Sequence, residues 1–122
     1  MNERQQKFER WLEQQAAACR QRGKLLAQDD RIDEANFEKI RANVYEIFQT
    51  ILSAAQRACG NDASARRNFF DQRARQIPAG WEASYETAKQ NGDAEKMHVE
   101  TIKLDTIREI REKCVQIWGD AE

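Results

Sequence analysis

The sequence has few residues that interrupt helices and no long apolar run. One proline and five glycines occur among 122 residues, whereas good helix formers such as Ala, Gln, Glu, Lys and Arg are abundant. No segment approaches the roughly 20 apolar residues that span a membrane, and the initial MNERQQKFERW lacks the apolar stretch of a signal peptide. These absences argue against a β-rich fold, membrane insertion and secretion. We therefore expect a soluble, all-α protein of the cytoplasm.

Residues that carry out catalysis or bind metals are also scarce. His98 is the only histidine, and the three cysteines, Cys19, Cys59 and Cys114, lie far apart among apolar residues. A structural zinc site usually takes its ligands from closely spaced pairs such as C-x-x-C, and the sequence contains no such pair. A glycine-rich phosphate loop after a strand is likewise missing. The sequence predicts reduced thiols, an exposed His98, and no catalytic residue, cofactor or metal.

Hydrophobic and charged residues are balanced along the chain. Hydrophobic residues make up 40% and charged residues 34%, and the formal net charge is −1. This composition supplies enough apolar surface to form one helical domain over residues 1–122. Because the chain is nearly neutral, a charged partner has to be recognised through a local patch of the surface.

Apolar residues recur at intervals of three and four along most of the chain, which predicts about five helices. The predicted helices cover residues 2–27, the segment from the acidic turn at 29–34 to Gly60, and residues 63–76, 80–90 and 94–118. Pro78 is expected to end the third helix, since the residue before a proline avoids the helical region. Asp62 and Asp93 are the expected N-caps of the helices that follow them.

The second predicted helix has the most regular apolar stripe and is expected to form the centre of the core. Its members are Phe37, Ile40, Val44, Ile47, Phe48, Ile51, Ala55 and Ala58. We expect a bundle of two antiparallel helical hairpins, made by the first and second helices and by the fourth and fifth, with the short third helix between them. A weak similarity between residues 28–47 and 90–109 leaves open an internal duplication.

The last predicted helix has an apolar arc that is wider than contact with one neighbour requires. We interpret this arc as packing against two neighbours or against a partner. The candidate partner interface consists of Met97, Leu104, Ile117 and Trp118. The favoured function is therefore a protein-interaction or adaptor module, with a protein partner or self-association as a homodimer.

A cluster of arginines supports a different function. Arg66, Arg67, Arg73 and Arg75 surround Phe69 and Phe70 on the third predicted helix. A basic helix with aromatic residues can bind nucleic acid by neutralising phosphates and stacking on bases. The simpler interpretation is that the phenylalanines face the core while the arginines form a solvated face.

A third possibility is a small-ligand site between the helices. Its lining would come from Tyr45, Trp81, Tyr85 and the buried cysteines, whose aromatic and apolar surfaces are typical of a pocket in a helical bundle. The sequence does not choose among these classes of function beyond favouring protein interaction.

Overall fold

The computed structural model describes residues 3–118, and these residues form four α-helices with no β-strand among them. Helix α1 spans Glu3–Gln28, α2 spans Ile32–Cys59, α3 spans Ala63–Gln90 and α4 spans Ala94–Trp118. The predicted all-α class is confirmed. Within the same residues, no helix combines the length and the apolar character that crossing a bilayer requires.

The prediction of about five helices is wrong, because Pro78 lies inside α3 rather than at the end of a shorter helix. Proline lacks an N–H, so the carbonyl of Ala74 loses its normal helical donor. Ile77 and Trp81, on either side of Pro78, both pack against the hydrophobic core. Burial on both sides holds the two segments in one helix, and the local preference of proline is overridden. Helix α3 therefore pairs directly with α4.

The turns between helices follow the local signals in the sequence. Gly60 and Gly92 have φ values of 56° and 67°, a region in which glycine is not strained. The side chains of Asp62 and Asp93 accept hydrogen bonds from the backbone N–H groups of residues three positions on, at 3.0 and 3.1 Å. Both predicted N-caps are confirmed. The acidic turn before α2 differs, since Asp30 itself adopts a φ of 59°.

The four helices pack as two antiparallel hairpins, α1 with α2 and α3 with α4. Helices α2 and α4 each contact all three other helices, so the predicted central position of the second helix is shared with the last. Ring contacts join the hairpins at the end where the chain starts: Phe8 lies 5.4 Å from Phe70 and 5.2 Å from Trp118 between ring centroids. Phe48 of α2 lies 5.7 Å from Phe70.

The buried arc of α2 is rotated relative to the predicted stripe. Ile47 is 39% exposed, whereas Ala42 and Tyr45 are buried. Helix α2 packs against neighbours on several sides, so its buried surface is wider than one stripe. Gly23 allows α1 to approach closely, because a Cβ there would lie 3.4 Å from both the Ala35 carbonyl oxygen and the Glu38 Cβ.

We expect Phe8→Ala to lower the free energy of unfolding by about 3–5 kcal/mol, because it leaves a cavity beside Trp11 of the same helix and the rings of Phe70 and Trp118 from two other helices. Urea denaturation followed by circular dichroism measures the change. The matched control is Leu25→Ala on the same helix, where the side chain is 54% exposed. It should change stability by less than about 0.5 kcal/mol. Equal losses for the two variants would contradict the packing of α1 described above.

Replacing Pro78 by alanine should stabilise α3, because it restores the N–H that bonds to the Ala74 carbonyl. We expect a gain of about 1–2 kcal/mol in the free energy of unfolding, less than the full helix penalty of proline, since the ring is buried. Gly80→Ala is the control, because its new Cβ meets nothing within 4 Å. A gain for Gly80→Ala with a loss for Pro78→Ala would show that the proline ring is needed for packing.

Candidate docking groove

An open groove runs between α3 and α4. Its larger part has a volume of about 720 Å³ and an apolar floor made by Pro78, Leu104, Ile107 and Val115. A smaller part, of about 120 Å³, continues beside Phe70, Ala74 and Cys114 and shares Val115 and Arg111 with the first. We call the two parts together the α3–α4 groove. Val115 is 46% exposed and Leu104 is half-buried, whereas Pro78 and Ile107 are buried, so the part of the floor that is open to solvent is formed by Val115 and Leu104.

The two helices build the groove from side chains of different size. Helix α3 contributes Ala74 and Pro78, one turn apart, which keep its side of the floor low. Helix α4 contributes longer aliphatic side chains at Leu104 and Val115. The lining residues on α3 run from Arg67 to Glu82, a length of about 22 Å at a rise of about 1.5 Å per residue. This length matches about four turns of another helix.

Arginines lie on both walls of the groove. Arg75 of α3 and Arg111 of α4 line its smaller part, and neither forms an ion pair with a carboxylate within residues 3–118. Arg108 lies 3.2 Å from Asp105, but both side chains are more than half exposed, so this pair is weak. Arg67 is held within the fold, because it donates to the Trp118 carbonyl oxygen at 3.2 Å. The available positive charge is therefore at Arg75, Arg108 and Arg111.

The predicted partner interface is divided by the structure. Leu104 lines the groove, and Met97 lies half-buried in the first turn of α4. Ile117 and Trp118 pack against the core. The predicted interface omitted Val115, which belongs to the predicted apolar arc, and also Arg108 and Arg111, the exposed residues that share a face with Leu104. Their spacing of four, three and four was a usable signal, but the arginines interrupt its apolar pattern.

The four arginines predicted to contact nucleic acid differ in their burial and in their hydrogen-bond partners. Arg66 is 6% exposed and donates to the Gly60 carbonyl oxygen. The Arg73 guanidinium lies 4.6 Å from the Phe69 ring centroid. Arg67 is engaged at Trp118, as described above, and Arg75 is exposed in the groove. The structure therefore does not bring these four side chains together in one solvated patch.

The residues predicted to line a ligand site are also separated. The Tyr45 hydroxyl is buried and donates to a Glu109 carboxylate oxygen at 2.9 Å. Trp81 and Tyr85 are half-buried on α3. Within residues 3–118, the main cavities are lined by side chains other than these three. No group of three or more His, Cys, Asp or Glu residues in that range is arranged to hold a metal ion.

The buried thiols are unreactive at neutral pH, because they remain protonated. Burial, together with a smaller contribution from the nearby Asp71 carboxylate, raises the pKa of Cys114 from 9.0 to about 12. Burial also raises the pKa of Cys19. The thiol form is a weak nucleophile and a poor metal ligand compared with the thiolate. Cys114 therefore contributes apolar surface to the groove rather than chemical reactivity.

Comparison of the chain with protein-family models, curated proteins and solved structures gives no match. The basis for assigning a function is therefore the chemistry of the α3–α4 groove, which has an apolar floor, the arginines Arg75, Arg108 and Arg111, and the carboxylates of Asp71, Glu82 and Glu112.

Stability should fall at alkaline pH. Burial raises the pKa of both Cys114 and Tyr45, so the folded state holds these two protons more tightly than the unfolded state does. This stabilisation is complete below the unfolded pKa values, near 9 and 10, and is lost as pH rises toward the folded ones. Each group contributes a slope of up to about 1.4 kcal/mol per pH unit.

Urea denaturation at several pH values between 8 and 11, at constant ionic strength, measures the free energy of unfolding. Cys114→Ala and Tyr45→Phe should each lose less stability across this range than the unmodified chain does. A slope unchanged in both variants would contradict the assigned direction of these pKa shifts.

Proposed function

We propose that this protein is an interaction module without catalytic activity, and that its docking surface is the α3–α4 groove. The observation that supports the proposal is the solvent-exposed aliphatic floor around Val115 and Leu104. Apolar surface that a partner removes from water contributes about 25 cal/mol per Å². The groove is also long enough to receive a helix, the usual ligand of such a surface.

The arginines in the groove favour a partner other than a second copy of the chain. In an antiparallel two-fold contact that places Leu104 opposite Val115 of the second copy, Arg108 lies opposite Arg111 twice, between the two aliphatic pairs. Like charges that face each other inside an interface disfavour it. This argument favours a heterologous partner over the homodimer.

A site-specific photo-crosslinker tests the docking surface in cells that naturally express the protein. We expect Val115→p-benzoylphenylalanine to yield a discrete crosslinked species on irradiation, because the side chain lies in the groove. The matched control is Ser53→p-benzoylphenylalanine, at an exposed position of α2 away from the groove. It should give no such species.

A second change, Leu104→Asp, should abolish the Val115 crosslink while leaving the circular dichroism spectrum unchanged. The same crosslinked species at both positions, or none at Val115, would contradict the proposal. A species at twice the mass of the chain would identify the partner as a second copy and overturn the argument from Arg108 and Arg111.

Nucleic-acid binding through Arg66, Arg67, Arg73 and Arg75 stays a prediction. The geometry favours protein docking over phosphate binding, because Arg66 and Arg67 donate to carbonyl oxygens within the fold and Arg73 lies over the Phe69 ring on the same helix. Arg75 is the exposed member, and it belongs to the same groove as Val115.

A further inference from the structure

Two arginines lie on opposite walls of the smaller part of the groove. Arg75 and Arg111 belong to different helices but line the same small cavity beside Ala74, Cys114 and Val115. Neither has a carboxylate at ion-pair distance in the described part of the chain. The Asp71 carboxylate lines this cavity too, but it lies 3.9 Å from Arg67, whose charge offsets it. Arg75 and Arg111 together therefore attract an anion, because the apolar floor strengthens the field between them.

The rest of the groove carries charges of both signs. Glu112 lies one turn from Arg108 on α4, so these two charges largely offset each other. Glu82 of α3 lines one end of the groove, Arg67 and Asp71 line the other, and Arg75 lies between them. The excess positive charge is therefore near the middle of the groove, at Arg75 and Arg111.

We propose that the α3–α4 groove binds an amphipathic helix of an acidic partner protein, whose carboxylates lie between Arg75 and Arg111. Aliphatic side chains of that helix pack on Leu104 and Val115. The inference rests on the proposed function and adds the chemistry of the partner to it.

The bound helix needs about 15 residues to span the groove, with aliphatic anchors at intervals of three and four.

Two designed peptides test this inference with the full chain. Both carry the same aliphatic stripe on a helix of about 15 residues, and they differ only in flanking residues, which are glutamates in one and lysines in the other. Fluorescence anisotropy of labelled peptide measures binding. We expect the glutamate peptide to bind at least about tenfold more tightly at low salt, and the preference to shrink as salt rises.

Charge reversal separates the role of the groove from that of net charge. The variant with Arg75→Glu and Arg111→Glu should reverse the preference, so that the lysine peptide binds more tightly. The matched control combines Arg10→Glu and Arg57→Glu, which make the same change in net charge at exposed positions of α1 and α2. It should retain the preference for the glutamate peptide. Circular dichroism and urea denaturation confirm that both double variants are folded.

The outcomes distinguish this inference from the proposed function. Equal affinity for both peptides, with both weakened by Val115→Asp, would overturn the acidic partner while supporting a helix-docking groove. Loss of the preference in the Arg10 and Arg57 control would also overturn it, since net charge alone would then explain binding. Absence of binding by either peptide would overturn it as well. If the Val115 crosslinker then also captures nothing, the proposed function fails too.

Discussion

The aromatic contacts between the two hairpins determine the arrangement of the whole bundle. Phe8, Phe48, Phe70 and Trp118 come from four different helices. The centroids of neighbouring rings in this set lie between 5.2 and 6.1 Å apart. Edge-to-face pairs of this kind contribute about 0.5–1.5 kcal/mol each beyond the burial of their area. Because Phe70 and Trp118 point inward, the opposite sides of α3 and α4 face solvent. The open groove is a direct consequence of how the core is filled.

The two hairpins differ in how closely their helices pack, and the proposed function depends on this difference. The inter-helix ion pairs within residues 3–118 join α1 to α2, where Arg20 meets Glu46 and Arg22 meets the buried Glu38. Gly23 brings the same two helices close together. In contrast, α3 presents the small residues Ala74 and Pro78 on the groove side of its contact with α4, and Arg75 and Arg111 have no described carboxylate at ion-pair distance. A charged side chain that lines an apolar cleft and forms no ion pair within the chain is available to bind a ligand.

Much of the fold could be predicted from the sequence, because its signals are local. The glycine at position 60 and the caps at Asp62 and Asp93 each act within one turn of the chain, so the ends of the helices are readable. Pro78 could not be interpreted in this way, since its effect is decided by the burial of Ile77 and Trp81 against distant helices. The exposure of Ile47 was not predicted for a related reason. An apolar stripe shows which face of a helix is buried, but it does not show how many neighbouring helices cover that face.

The candidate site was harder to predict than the fold, because a docking surface combines residues that the usual patterns separate. Leu104 is apolar and was identified, whereas Arg111 and Val115 became significant only when α3 supplied Arg75 and Pro78 opposite them. Arg75, Arg108 and Arg111 form the charged rim of the groove, and none of them belongs to the hydrophobic core. Changes at Arg75, Arg108 and Arg111 therefore alter the charge that a partner meets without disturbing the packing of Phe8, Phe48 and Phe70. The core fixes where the groove lies, and the rim determines which charge it selects.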